Sequence, residues 1–407
     1  MTSASTVGKR IQRLRVANGW SQAEFALACG IATGAISMIE NGRQAADSNA
    51  LKAMAKRLGC TPDYLTRPQR DLVASRPWLR AYADASKRAV DRYVADTEAA
   101  VEAIEFMGLK SLPEIIPVFG EDLNDEDAIE DFAEQVREAA KLHPGDVVGN
   151  SMRAAERLGC VVLPMDDELG RHMGMSLRVN GFPVIRVSRP IAAAVDADGG
   201  QIAMPSGDRQ RFTVAHELGH LSLHTACPPP ATADEGTRYE RQAHRFAGAF
   251  LAPAEPLLED LKNLGDRVTL TTLQGLKERW GVAIKMLVVR LRQLDRIDDA
   301  QARSLYKQIS ARKWNKVEPV SVGHEEAIWF ERALSRAYKR QAISTLELAS
   351  AHNGLSRQYH ERWIDWSVRP FERSDDPVTV VNFVPTSQRR STGRTGRSAS
   401  IHKLRRN

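Results

Sequence analysis

The sequence predicts an α+β chain that is mainly helical, with a small N-terminal helical domain, a larger mixed domain and a helical C-terminal region. Three observations carry this. A single hydrophobic core rarely grows past about 250 to 300 residues, so a chain of 407 residues divides into domains. Apolar residues recur at three-to-four spacing in successive segments, while strand-like alternation is confined to the neighbourhood of Cys160 to Ser188. The composition, 43% hydrophobic and 27% charged, is that of an ordinary globular protein rather than a disordered or membrane chain.

No apolar run approaches the roughly 20 residues that span a bilayer, and the opening MTSASTVGKR lacks the hydrophobic stretch of a secretory signal. The expected location is therefore the cytoplasm, with no membrane partner. Cys29, Cys60, Cys160 and Cys227 are scattered and form no CxxC pair, which argues against a disulfide framework and against a thiolate zinc site. The net charge of +6 is unevenly spread: residues 1–70 carry +6, residues 377–407 carry +7, and the middle is acidic at −7. A basic end attracts polyanions; for residues 377–407 the plainer reading is a solvated, disordered tail.

The first helix follows from Val7, Ile11 and Leu14 at helical spacing, interrupted at Gly19. Ser21 followed by Glu24 has the form of a capping box, so a second helix starts there, marked by Phe25, Ala26 and Cys29, and ends at Gly30. A third runs from Thr33 to Asn41 with Ile36 and Ile39 inward. Ser48 is the expected cap of a fourth carrying Leu51, Met54, Ala55 and Leu58, and Thr61-Pro62 starts a brief fifth.

The stretch SQAEFALACGIATGAISMIENGR resembles the Cro/CI or XRE helix-turn-helix family over about residues 7–67. The resemblance implies binding of double-stranded DNA by residues 1–70. It implies Gln22 over phosphates at the start of the second helix, Thr33, Gly34, Ser37 and Met38 of the third helix toward the major groove, and Arg43 on the backbone, with a homodimer as a usual binding form. Ala32 stands where a capping Ser is common, and Thr33 and Met38 stand where basic side chains often appear. Bidentate Arg, Asn or Gln contacts discriminate bases by about 1 to 3 kcal/mol each, and this helix offers few of them. The alternative reading is a helix-turn-helix kept for protein docking.

Residues 71–110 read as a helical linker, a spacer or a dimerisation helix, through Tyr82, Val90, Tyr93, Val101, Ile104 and Met107. After Pro113 and Pro117 a helix restarts through Ile129, Phe132, Val136 and Ala140 and closes at Pro144-Gly145. Cys160 to Leu163 is a short strand. In SLRVNGFPVIRVS, Asn180-Gly181 lies between two alternating apolar runs, a hairpin signal, and the edge strand of such a hairpin can take up an extended peptide.

The segment RFTVAHELGHLSLH carries the chemistry. His216 and His220, four apart on a helix, project from one face and can take two adjacent corners of a zinc tetrahedron, and Glu217 between them can serve as general base for a zinc water. The HExxHxxGxxH version of a three-ligand site is excluded, because Leu223 and Ala226 occupy its Gly and His positions. Glu240, on a second amphipathic helix that ends at Pro253, is the expected third ligand. Ala243 and Ala247 on that helix permit close approach to the first. Three protein ligands leave one position for water and substrate, the mark of a catalytic site. The expected cofactor is Zn2+, although a His2Glu set accepts other divalent transition ions. Tyr239 and Arg211 are candidates for stabilising an oxyanion, and His244 for orienting a ligand, stabilising the oxyanion or packing. His224 reads as a hydrogen-bonded structural histidine, and the helices around Trp280 as core.

HELGH with the helix bearing Glu240, Ala243, Phe246, Ala247, Phe250, Leu251 and Pro253 resembles the ImmA/IrrE family of metallopeptidases over about residues 111–320, including Trp280-Gly281-Val282. The resemblance implies a gluzincin-like, thermolysin-type helix pair, cleavage of a helix-turn-helix repressor, and roles in stress response or mobile-element induction. His244 departs from it, standing where the family often has Asn. The expected organisation is a helix-turn-helix domain at 1–70, a helical linker at 71–110, the metallopeptidase domain at 111–300, a helical region at 301–376 and the basic tail at 377–407. The alternative function is a helix-turn-helix transcription regulator whose metallo-domain is a non-cleaving sensor or interaction module.

Overall fold

The computed structural model describes residues 4–68, 72–78, 86–110, 112–166, 173–195, 201–338 and 344–369. The expected basic tail at 377–407 lies outside the described residues. The chain is mainly helical. Its N-terminal part comprises α1 (Ala4–Ala17), α2 (Gln22–Cys29), α3 (Thr33–Glu40), α4 (Ser48–Leu58) and α5 (Pro62–Thr66). There follow α6 (Lys87–Phe106), α7 (Glu126–Ala139) and α8 (Ser151–Arg157), then β1 (Val161–Met165), β2 (Gly174–Val179) and β3 (Phe182–Ser188). A second sheet pairs β4 (Ile191–Val195) with β5 (Gln201–Met204). The remaining elements are α9 (Gly207–Leu223), α10 (Ala233–Leu251), α11 (Ala254–Asn263), α12 (Leu270–Trp280), α13 (Ile284–Gln293), α14 (Asp299–Ala311), α15 (Trp329–Tyr338), α16 (Thr345–Asn353) and α17 (Arg357–Ile364). No single described helix is long and apolar enough to cross a membrane.

Local signals explain the N-terminal elements. Ser21 and Glu24 form the reciprocal capping box at α2, which satisfies two backbone donors that the helix itself cannot pair. Ala32 precedes α3 without a side-chain cap. Asp47, rather than Ser48, caps α4, accepting the Ala50 N–H at 2.7 Å, and Ser48 is the first helical residue. A carboxylate at that end gains from the helix dipole as well as from the hydrogen bond. Asn180 and Gly181 take positive φ, 49° and 85°, in the two-residue turn that joins β2 to β3.

The sheet has the order β1-β3-β2, with β1 parallel and β2 antiparallel to β3. It is buried on both faces. Val161, Leu163, Met175, Leu177 and Val184 pack with the N-terminal helices, α6 and the C-terminal helices, whereas Val162, Ile185 and Val187 pack with the helices around α9 and α10. Side chains alternate along a strand, so one short sheet serves two cores.

Residues 71–110 are not one helix. Leu72–Trp78 runs extended along β2, through antiparallel bridges Ala74 to Val179 and Trp78 to Ser176, and α6 starts only after the Ser86 cap. Tyr82 lies outside the described residues. A spacer or a dimerisation helix would keep a free face, but α6 buries Ala95, Asp96, Thr97, Ala99, Ala100, Val101, Glu102, Ala103 and Ile104 in succession. A helix buried on all sides is a core element. Its polar members are paired: Glu102 receives Arg10, Arg13, Arg67 and the Tyr64 hydroxyl, and Asp96 receives Arg186, Arg362 and Trp363. The C-terminal helices return to the N-terminal ones, with the Thr61 N–H on the Gly354 carbonyl at 2.8 Å and the Tyr359 hydroxyl on the Leu58 carbonyl at 2.8 Å.

Candidate metal centre

Helix α9 opens at Ser206 with Asp208 in its first turn, and α10 opens at Thr232, whose hydroxyl accepts the Glu235 N–H at 3.2 Å. The two helices cross in close contact because Gly219 faces Ala243: a Cβ built on Gly219 would stand 2.9 Å from Phe246 and 3.3 Å from the Ala243 Cα. That approach brings Glu240 of α10 against His216 and His220 of α9. The His216 Nε2 to His220 Nε2 distance is 3.1 Å, His216 Nε2 to Glu240 Oε2 is 3.3 Å, and His220 Nε2 to Glu240 Oε1 is 3.4 Å.

These residues fit a metal ion. Tetrahedral bonds of about 2.0 to 2.1 Å require ligand atoms about 3.3 Å apart, and the three observed separations bracket that value. Ligation needs a neutral imidazole and an ionised carboxylate. Burial lowers the His220 pKa to about 4. Burial opposes ionisation of Glu240, but its place against the His216 and His220 imidazoles outweighs burial and holds the carboxyl well below the usual range. His216 Nδ1 is buried with no hydrogen-bond partner among the described residues.

A chain of hydrogen bonds behind His220 fixes its tautomer. The Gln242 amide donates from Nε2 to the Leu123 carbonyl at 2.7 Å, so its oxygen is the acceptor facing His224 Nε2 at 3.1 Å. His224 Nε2 therefore carries the proton and His224 Nδ1 the lone pair. His220 Nδ1, 3.0 Å from it, must be the donor, which leaves His220 Nε2 as a bare lone pair aimed at His216 and Glu240. Burial keeps His224 neutral by lowering its pKa to about 3.

Glu217 is buried beside the cluster and is not part of the three-residue group. Its carboxylate accepts the Ser176 hydroxyl of β2 at 2.7 Å. Burial lifts Glu217 to about 7, while His216 and the Ser176 hydroxyl pull the other way. Gly174 lets β2 lie this close, since a Cβ there would stand 2.4 Å from the Thr213 Cγ2 and 3.2 Å from the Glu217 Cγ.

The other named residues divide. The Arg211 guanidinium is engaged by the Val148 carbonyl and by Glu325, rather than by any of the three clustered side chains. The Tyr239 hydroxyl pairs with Cys227, and its ring lies against Trp78 and His224. His244 is exposed and its ring packs 4.7 Å from that of His216 and 5.2 Å from that of Phe212. On the N-terminal helices, Thr33, Gly34, Met38 and Arg43 are exposed and Ser37 is half-buried, whereas Gln22 donates to Glu40 at 2.7 Å, the carboxylate that also holds Arg15. Sequence reasoning missed Ser176, Gln242 and Trp78. Trp78 stacks on His220 with ring centroids 5.5 Å apart and planes 4° apart, a contact between residues far apart in the chain.

An HExxH helix joined by a glutamate from its partner helix is the frame of a metallopeptidase-like domain. Residues 205–292 match the family model described as the IrrE N-terminal-like domain, and residues 11–65 match the helix-turn-helix model. The chain thus joins an XRE-type helix-turn-helix DNA-binding domain to a metallopeptidase-like domain of the ImmA/IrrE kind. No curated protein compared with the chain matches it.

Proposed function

We propose that the protein is a DNA-binding zinc metallo-endopeptidase of the cytoplasm that cuts a transcriptional repressor or related regulator, and so controls genes of stress response or mobile-element induction. The convergence of His216, His220 and Glu240, with Glu217 beside them on the Ser176 hydroxyl, is the observation that carries this reading. A zinc ion held by those three side chains would polarise the scissile carbonyl and acidify the attacking water. Glu217 takes the water proton at its carboxylate and later delivers it to the leaving amine. Ser176 holds the Glu217 carboxylate in place, and the His224–Gln242–Leu123 chain keeps His220 Nε2 unprotonated. The face of α3 that bears Thr33, Gly34, Ser37 and Met38 lies on the DNA and Arg43 on its backbone, which localises the peptidase at the genes its substrate regulates.

The test is elemental analysis of the full chain, purified without chelator or a metal-affinity step, beside a His216→Ala variant. About one zinc per chain, lost in the variant, is expected for a three-ligand site. A folded wild type that takes up no metal even after zinc is added rejects the enzyme reading.

A further inference from the structure

The outer edge of β2 is the only strand edge that passes the metal cluster among the described strands, because β3 pairs with its other side. It is already occupied. Ser75 N–H donates to the Arg178 carbonyl at 2.7 Å, Trp78 N–H to the Ser176 carbonyl at 2.9 Å, and Asn180 N–H to the Val73 carbonyl at 2.9 Å. The Arg178 N–H is taken by the Ser75 hydroxyl at 2.9 Å. The segment runs antiparallel to β2, bulges by one residue between Ser75 and Trp78, and delivers Trp78 opposite Ser176, the residue whose hydroxyl holds Glu217. The Trp78 ring then covers His220 and meets Tyr239 edge-on at 5.7 Å.

Main-chain pairing to an exposed edge, with pockets for alternate side chains, is how sheets take up extended peptides of varied sequence. Both parts are present. Beside the segment lies a cavity of about 710 Å3, walled by Pro77 and Trp78 on one side and by Leu221, Pro230 and Ala233 on the other. That volume is within the range of pockets that hold small molecules or side-chain groups. One side of the segment faces solvent. Val73 is 71% exposed, and Ser75 and Arg76 are also exposed. Leu72 and Ala74 are only partly buried against the core, and a short run of solvent-exposed hydrogen bonds is the mark of a piece that opens without unfolding the core.

We propose that the outer edge of β2 is the docking line for an extended segment of a protein substrate, and that Leu72–Trp78 occupies this line as an internal strap that leaves before a substrate enters. The strap is tethered, so it competes at the millimolar-range effective concentration of a short linker. Leu72 closely follows Arg67, which is anchored on Glu102 and on the Asn353 carbonyl at 2.8 Å. The inference rests on the peptidase reading for its purpose, but the docking line can be tested apart from it.

The probe is a fluorescein-labelled peptide of the strap sequence LVASRPW, and the readout is anisotropy with the full-length chain, with and without zinc. Ser75→Pro combined with Trp78→Ala removes a paired N–H and the ring over His220. Because the strap then no longer masks the edge, this variant is expected to bind the peptide at least about tenfold more tightly than the wild type. A second pair, Ala74→Cys with Val179→Cys, sits at a non-hydrogen-bonded antiparallel position, where Cα atoms about 4.5 Å apart permit a disulfide. Oxidation should abolish peptide binding, and dithiothreitol should restore it in the same sample, which controls for folding. Equal binding by the wild type and the strap variant, binding by neither, or binding indifferent to the disulfide overturns the proposal. Cleavage of fluorescent casein by the zinc-loaded strap variant reports on the peptidase reading alone: peptide binding without cleavage keeps the docking line and discards the enzyme.

Discussion

Nδ1 of His220 lies 3.0 Å from Nδ1 of His224, one helical turn further along α9. The pair makes sense only if one nitrogen donates and the other accepts, and the Gln242 amide anchored on Leu123 decides which. His224→Ala removes the acceptor and lets His220 take either tautomer. Losing such an outer partner typically weakens metal binding by about 10- to 100-fold. That loss is expected here in a zinc competition against a fluorescent chelator, measured at a temperature where thermal unfolding shows the metal-free variant to be folded. Unaltered affinity would mean that the chain behind His220 does not orient it.

Glu217→Gln keeps the shape of the side chain and removes its capacity to accept a proton. Metal content should match the wild type, and turnover of casein should fall by about 10²- to 10⁴-fold, the ordinary contribution of a general base. Turnover retained by a metal-loaded variant would remove Glu217 from the chemistry.

Asp96 sits between Arg186, Arg362 and the Trp363 N–H, and the residue is 5% exposed. Burial works against its charge, but Arg362 and Arg186 outweigh burial and hold its pKa below the usual carboxylate range. Asp96→Asn leaves buried guanidinium groups unpaired, at a cost of about 3 kcal/mol, the lower end for a broken buried pair; the low end applies because the Arg362 side chain keeps 26% exposure. A depressed folded-state pKa stabilises fully above the unfolded value of about 3.9, and that stabilisation drains away as pH falls through the folded value. The gap between wild type and variant in urea unfolding should therefore be widest at neutral pH and narrow below about pH 4. A gap independent of pH would assign the linkage to another group.

Arg43 is exposed just beyond α3. As a contact to the DNA backbone it carries no base preference. Arg43→Ala should weaken binding of all duplexes alike and reduce the slope of log affinity against log salt by roughly one. A loss confined to one sequence, with the salt slope unchanged, would make it a base reader.

The sequence reached the chemistry of the centre because its parts obey local rules. Four-residue spacing on a helix puts His216 and His220 on one face whatever surrounds them, Ser21 and Glu24 cap α2 from within a single turn, and Asn180-Gly181 tolerates the positive φ of a tight hairpin. Ala243 also pointed to a close helix pair, but its partner Gly219 was passed over, because a glycine inside HELGH gives no apolar signal.

What the sequence could not supply depends on distance along the chain. The strand pairing of Leu72–Trp78 was hidden because LVASRPW has no alternation of apolar and polar residues to mark a strand, and a helical pattern follows it. Arg211 looked available for catalysis until Glu325, far downstream, was found on it. The sequence by itself determined which side chains can bind a metal and which helices can form, since those properties belong to a residue and its near neighbours. Tertiary structure alone decided which nitrogen of His220 is bare, what rests on the edge of β2 and where Arg211 spends its charge, because each is settled by a hydrogen bond, ring contact or ion pair to a partner that only folding brings within reach.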